Sequence, residues 1–206
     1  MHLPDGIVSN TVTVGSTLCT VPVVAYAYHR AKMDLSDKLI PRSAGLAAFI
    51  FVAQLINFPI GLGTSGHLIG AFLLTYILGP WLSILVLSLV LTIQAFIFQD
   101  GGILALPVNI LNMAIIGCMV SHLFLKITTG LRRSTGKRFQ LILIIVGCIL
   151  SLYGTAMLIS IEFWISDILN ILTAIKVLFL FNTLIGIIEG CITVLIISFL
   201  NKVKFV

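Results

Sequence analysis

The sequence predicts an all-α fold, a polytopic membrane helix bundle of about seven transmembrane helices with the N-terminus outside and the C-terminus cytoplasmic. Three observations predict it. Of the 206 residues, 59% are hydrophobic and only 9% are charged, against about 25% charged in a soluble domain, and the mean hydropathy is +1.19. The apolar runs approach the roughly 20 residues that cross a bilayer. The basic residues fall in alternate connections, so one side of the bundle collects them. Residues 1–206 are read as a single transmembrane domain with no soluble domain attached.

Span one covers about 8–29 and ends at Tyr28-His29-Arg30; a charged loop with Lys32, Asp34, Asp37, Lys38 and Arg42 follows. Span two is about 43–60. The stretch Gly61-Leu62-Gly63-Thr64-Ser65-Gly66 is too glycine-rich for a helix interior. Span three, about 67–79, is short and stops at Gly79-Pro80. At 1.5 Å per residue it covers only about 20 Å, so either it leans on protein or the glycine loop dips into the membrane. Span four is 81–98, Asp100-Gly101-Gly102 is a turn, and span five runs from about 107 to 127. A basic loop, Lys126–Arg138, leads to span six at 139–160. Glu162–Asp167 mark a short acidic loop, and span seven is about 173–200.

Orientation follows from charge. Loop 30–42, loop 126–138 and the C-terminal tail, with Lys202 and Lys204, hold all but one of the 12 Lys and Arg, while Asp5, Asp100, Glu162 and Asp167 fall in the other connections. Cytoplasmic loops carry the Lys/Arg excess. The net charge of +5 therefore reports topology, and nucleic acid is excluded as a partner, since no aromatic-basic interleaving is present. Cys19, Cys118, Cys148 and Cys191 sit singly in apolar runs and form no CxxC pair, so they read as small buried hydrophobes. Residues 1–10 contain no Lys or Arg. No cleavable signal peptide of the usual form is expected, and the N-terminus is expected to remain as made.

The chemistry concentrates in two places. Met1-His2 offers three nitrogens in one covalent unit: the Met1 α-amine, the His2 backbone nitrogen and the near ring nitrogen of His2. Bound together they close fused five- and six-membered chelate rings in nearly one plane, which suits Cu(II) and Ni(II). His67 follows the glycine loop on the same, outer side, and its ring completes a square-planar four-nitrogen set. His29 and His122 lie near the inner ends of spans one and five. Ser65, Asp5, Gln94 and Asn112 are candidates to orient the ligands from an outer ring of hydrogen bonds. Among polar residues inside spans, Glu189 is the most costly to bury. Lys176 can snorkel outward, and no role is assigned to it, to Asn182 or to Glu189.

Two alternatives of other classes stay open. Gly63-Thr64-Ser65-Gly66 at a helix start resembles the nucleophile turn of rhomboid-type intramembrane serine proteases. Such a site needs a base to activate Ser65, and His122, the remaining candidate in the later spans, is expected at the opposite face. A non-catalytic membrane subunit that binds no metal is the third reading.

Met1-His2-Leu3-Pro4-Asp5-Gly6, Gly63–His67, the Gly79-Pro80-Trp81 break, Gln94-Ala95 with Gln99-Asp100-Gly101-Gly102, and Asn109-Ile110-Leu111-Asn112-Met113 together resemble the CbiM/NikM family. The family comprises the substrate-binding (S) components of energy-coupling factor transporters for nickel and cobalt, and the likeness extends over essentially the whole chain. The resemblance implies a multi-pass protein of a prokaryotic cell membrane that is not an enzyme. Its transported substrate is Ni2+ or Co2+, with Met1, His2 and His67 as ligands. Residues 1–7 form a metal-binding segment inserted into the bundle from outside, and 61–67 form a metal-binding loop. The partners implied are a membrane coupling protein (T component), cytoplasmic ABC-type ATPases and, in some systems, a small additional membrane subunit. The chain lacks a Gly-x-x-x-x-Gly-Lys-Ser/Thr phosphate loop of its own. The Pro4-Asp5 opening favours nickel over cobalt by analogy. The pattern departs at Asn182, where relatives often carry His.

Overall fold

A computed structural model describes residues 1–34, 36, 37, 39–61 and 64–202; Lys38, Leu62, Gly63 and Lys204 of the sequence reading lie outside the described residues. Among the described residues seven helices follow one another. They are α1 (Asn10–Asp34), α2 (Leu39–Leu55), α3 (Ala71–Leu78), α4 (Pro80–Phe98), α5 (Leu106–Asn109 continuing through Ile110–Ile116 into Gly117–Ser134), α6 (Lys137–Ile165) and α7 (Ile171–Lys202). Five of them, α1 and α4 to α7, are long and apolar enough to cross a membrane; α2 is a shorter apolar helix of 17 residues. Their outer faces are apolar, with Leu18, Leu180 and Leu195 exposed, as lipid-facing surfaces are.

The eight-residue α3 is shorter than the span expected there. Gly70 and Gly79, both with positive φ, flank it, and Pro80 opens α4, the position where a proline costs a helix nothing. Ala71 to Thr75 are all buried, so α3 rests on protein, the condition under which a half-helix is tolerated at membrane depth.

Other features depart from the sequence reading. Cys118 and Cys148 are buried as expected, but Cys19 and Cys191 are exposed on α1 and α7. The glycine stretch is not wholly irregular: β1 (Phe58–Gly61) and β2 (Thr64–Gly66) pair antiparallel, Phe58 opposite Gly66 and Pro59 opposite Ser65. Main-chain groups that glycine and proline keep out of a helix find partners across this hairpin. Two stretches, Gln94–Phe98 and Ile110–Ile116, wind as π-helix inside α4 and α5. Glu162 does not stand in an acidic loop. It is buried in the last turns of α6 and accepts a 2.7 Å hydrogen bond from Asn112 Nδ2, a partner that makes the charge-bearing side chain tolerable inside.

The longest contact runs between α6 and α7. A Cβ at Gly186 would come within 2.9 Å of the Ile149 Cα, and one at Gly190 within 2.8 Å of the Ile145 Cα. Small residues at these points let the backbones meet, as in membrane helix pairs generally. Phe72, Phe163, Ile50 and Met113 fill the core, and Met1 and Leu3 are buried among them.

Candidate metal centre

The N-terminal segment is held by main-chain recognition. Leu3 N donates to Asn109 Oδ1 (2.9 Å), and Asn109 Nδ2 returns a bond to Leu3 O (3.0 Å). Gly102 N donates to the same carbonyl (3.0 Å). The Asn109 amide thus pairs with Leu3 as a neighbouring strand would. The Asp5 carboxylate accepts from Ile103 N (3.2 Å) and Ala105 N (2.9 Å), and a Cβ at Gly102 would overlap that carboxylate. Gly6, with φ +80°, turns the chain toward α1.

This anchoring sets Met1 and His2 against the hairpin and the segment after it. The Met1 amine donates to the Ser65 carbonyl and lies 3.3 Å from Ser65 Oγ. The His2 and His67 rings stack with centroids 4.5 Å apart and planes 24° off parallel. Met1, His2 and His67 are 1%, 4% and 1% exposed. His67 Nδ1 lies 2.7 Å from Leu68 O; a carbonyl can only accept, so Nδ1 carries the proton and Nε2 keeps its lone pair. Nε2 of His67 and Nε2 of His2 are both buried with no hydrogen-bond partner. Buried nitrogens without partners are uncommon, and the free lone pair on His67 Nε2 suits a ligand that supplies the missing bond. His2 Nε2 stands 3.9 Å from Asp100 Oδ2, an oxygen that also receives Asn57 Nδ2 at 3.4 Å.

Electrostatics favour the uncharged forms. Burial holds the Met1 amine well below its usual range, with Asp100 opposing. Burial, then the nearby amine, pushes His2 down to about 3. His67 is lowered by burial, the amine and His2, against the Leu68 hydrogen bond. Burial raises Asp100, while the amine and Asn57 pull it back. At neutral pH these nitrogens present lone pairs, the state in which they bind metal. Among the described residues no three His, Cys, Asp or Glu side chains gather into a metal-holding group. An ion here would need the amine and main chain beside the two imidazoles.

The other candidates divide. Ser65 meets the Met1 amine; Asp5 anchors the segment without touching an imidazole; Asn112 bonds Glu162. Gln94 is buried with both side-chain amide atoms unpaired, and its main-chain carbonyl accepts from Asp100 N. His29 and His122 are exposed on α1 and α5, and about 20 Å of helix separates His122 from Asn109 at 1.5 Å per residue. No base from His122 reaches Ser65. Asp100, Asn57 and Asn109 were not among the sequence candidates for orienting roles. The signal available for two of them was the Gln99–Gly102 and Asn109–Met113 motifs.

Residues 2–205 match the family described as the cobalt uptake substrate-specific transmembrane region. The chain is 34% identical over 168 residues to the fused nickel transport protein NikMN of Rhodobacter capsulatus (82% of this chain, 48% of that one). It is 32% identical over 206 residues to the putative fused nickel transport protein NikMN of Archaeoglobus fulgidus (99% and 66%). The chain thus spans from about half to about two thirds of the length of these relatives. The crystal structure of a truncated transition metal transporter superposes with a TM-score of 0.90 at 30% identity, covering 98% of this chain and 99% of that one.

Proposed function

Since the chain belongs to the CbiM family of cobalt uptake substrate-specific transmembrane regions, we propose that it is the substrate-binding membrane component of an uptake transporter for a divalent transition-metal ion, Ni2+ in preference to Co2+. The observation that carries this reading is the meeting of Met1, His2 and His67: a buried amine and two stacked imidazoles, held neutral. The ion takes a square-planar set of four donor nitrogens: the Met1 amine, the deprotonated His2 amide, one nitrogen of the His2 ring and one of the His67 ring. Residues 1–7 then act as the metal-binding segment seated in the bundle, and 61–67 as the metal-binding loop.

Four nitrogens in a plane favour Ni(II) and Cu(II) over tetrahedral Zn(II), and the nickel transport named for the fused relatives agrees. Copper binds such a set at least as tightly as nickel, so its rejection rests on availability. With the basic loops cytoplasmic, the site opens outward. His2 Nε2 turns toward Asp100, whose carboxylate offsets charge brought in by the ion. Transport energy comes from partners, a membrane coupling protein and cytoplasmic ATPases, since the chain carries no phosphate loop.

The test is the metal content and coordination spectrum of the purified, nickel-loaded protein. One diamagnetic, square-planar Ni(II) per chain is expected; a paramagnetic six-coordinate ion, or none, overturns the proposal.

A further inference from the structure

The Glu189 side chain, 2% exposed in the middle of α7, belongs to none of the groups described so far, yet it ends beside the metal centre. Its Oε2 accepts from Ile69 N (2.8 Å) and its Oε1 from Gly70 N (3.1 Å). From the other side Gln54 Nε2 donates to Ile69 O (2.8 Å). The segment directly after His67 is therefore gripped at successive main-chain groups by α7 and α2, and it is the same segment whose Leu68 carbonyl fixes the His67 ring. A carboxylate receiving two N–H groups is the strong, directional form of the hydrogen bond. The depth of the grip is set by α7 itself: next to Glu189, Gly190 lets the helix close onto the Ile145 backbone, where a Cβ would come within 2.8 Å. Gly70 has φ +77° and faces Ile50 so closely that a Cβ there would overlap it, so the segment has little room to settle elsewhere.

We propose that Glu189 is a positioning residue for the metal centre: by clamping Ile69 N and Gly70 N it holds the His67 imidazole against the His2 ring and ties retention of the ion to the placement of α7. Glu189 touches no ligand atom; its effect passes through the main chain from Leu68 to Gly70. A neutral amide in its place offers one acceptor oxygen and turns an NH2 group toward the second N–H, so the clamp opens on one side while the packing volume stays. The inference rests on the proposed role of His67 as a ligand.

The experiment is a double-mutant cycle on the full chain with Ni2+. Glu189→Gln is expected to weaken binding roughly 10- to 100-fold, the usual cost of losing an orienting partner, and to move the absorption spectrum toward that of His67→Ala. In the His67→Ala background the same change is expected to cost nothing further, because its only route to the ion is gone. A general packing role would add its loss in both backgrounds, and that result, or unchanged binding in Glu189→Gln, overturns the proposal. If Glu189→Gln does not yield folded protein, Glu189→Asp, which keeps the carboxyl group but is shorter by one methylene, carries the same cycle, with a smaller loss expected. Failure of the underlying reading is distinguishable: the unmutated protein would then lack the four-nitrogen spectrum, or His67→Ala would bind as the unmutated protein does.

Discussion

The imidazoles of His2 and His67 lie face against face, 4.5 Å between centroids, although α1, α2 and a β-hairpin separate them in sequence. One ring is tied by Nδ1 to the Leu68 carbonyl and keeps Nε2 unpaired; the other belongs to the segment that carries the buried amine. Each side of the proposed centre is thus delivered by a different element. His67→Ala should leave the three nitrogens of Met1-His2 in place and lose the fourth. Calorimetric titration with Ni2+ should show affinity lower by at least about tenfold, no less than the loss of an orienting partner costs, and the visible band should move as water replaces imidazole.

Asp100 is expected to act through His2. With its Oδ2 3.9 Å from His2 Nε2, the carboxylate is placed to draw in the Nε2 proton once the near ring nitrogen is committed to the ion. Asp100→Asn keeps the size and removes the charge. Titration should show Ni2+ affinity reduced by roughly 10- to 100-fold, with the four-nitrogen spectrum preserved.

Acid should act on the empty protein and on metal binding in the same direction. An unfolded His takes its proton near 6.5, whereas His2 in the fold takes one only near about 3. Between these values the unfolded chain binds more protons, so stability falls as pH drops through that window. The lowered amine and His67 add to the trend. Thermal unfolding of the metal-free protein in detergent should therefore move to lower temperature below about pH 6.5. Metal affinity should also weaken at a lower pH than in the free peptide Met-His-Leu-Pro-Asp-Gly, whose amine and imidazole are protonated from about 8 and 6.5 downward.

Gly102→Ala tests the seating of the N-terminal segment. The added methyl meets the Asp5 carboxylate, and overpacking of this kind costs about 1–3 kcal/mol. Expressed on metal binding, that is roughly a 5- to 150-fold loss. Gly45→Ala, where nothing lies within 4 Å of the new atom, should bind as the parent does. Equal binding in the two variants would contradict this anchoring.

How much was legible in the sequence follows from range. The helices show because hydropathy is written locally, and the short third span shows because Gly79-Pro80 stops it. The hairpin does not: Phe58–Gly61 and Thr64–Gly66 are too short for alternation to register, and their pairing depends on what surrounds them. The π stretches carry no residue signature of their own. Glu162 read as a loop residue because a carboxylate in an apolar run looks like a boundary. Its acceptance within α6 depends on Asn112 of another helix. His2 and His67 could be paired from chemistry and side alone, but the devices that seat them are side chains holding distant main chain: Asn109 on Leu3, Asp5 on Ile103 and Ala105, Glu189 on Ile69 and Gly70. Such contacts leave no periodic trace.

The central claim is that the Met1 amine and the His2 amide belong to one chelate with the two imidazoles. Adding a single alanine before Met1 tests it most directly. The insertion leaves His67 and the helices untouched but moves the amine one residue away and lengthens the buried segment. Ni2+ binding by the folded variant should fall to or below that of His67→Ala, with loss of the square-planar spectrum. Undiminished binding with that spectrum retained would contradict the account.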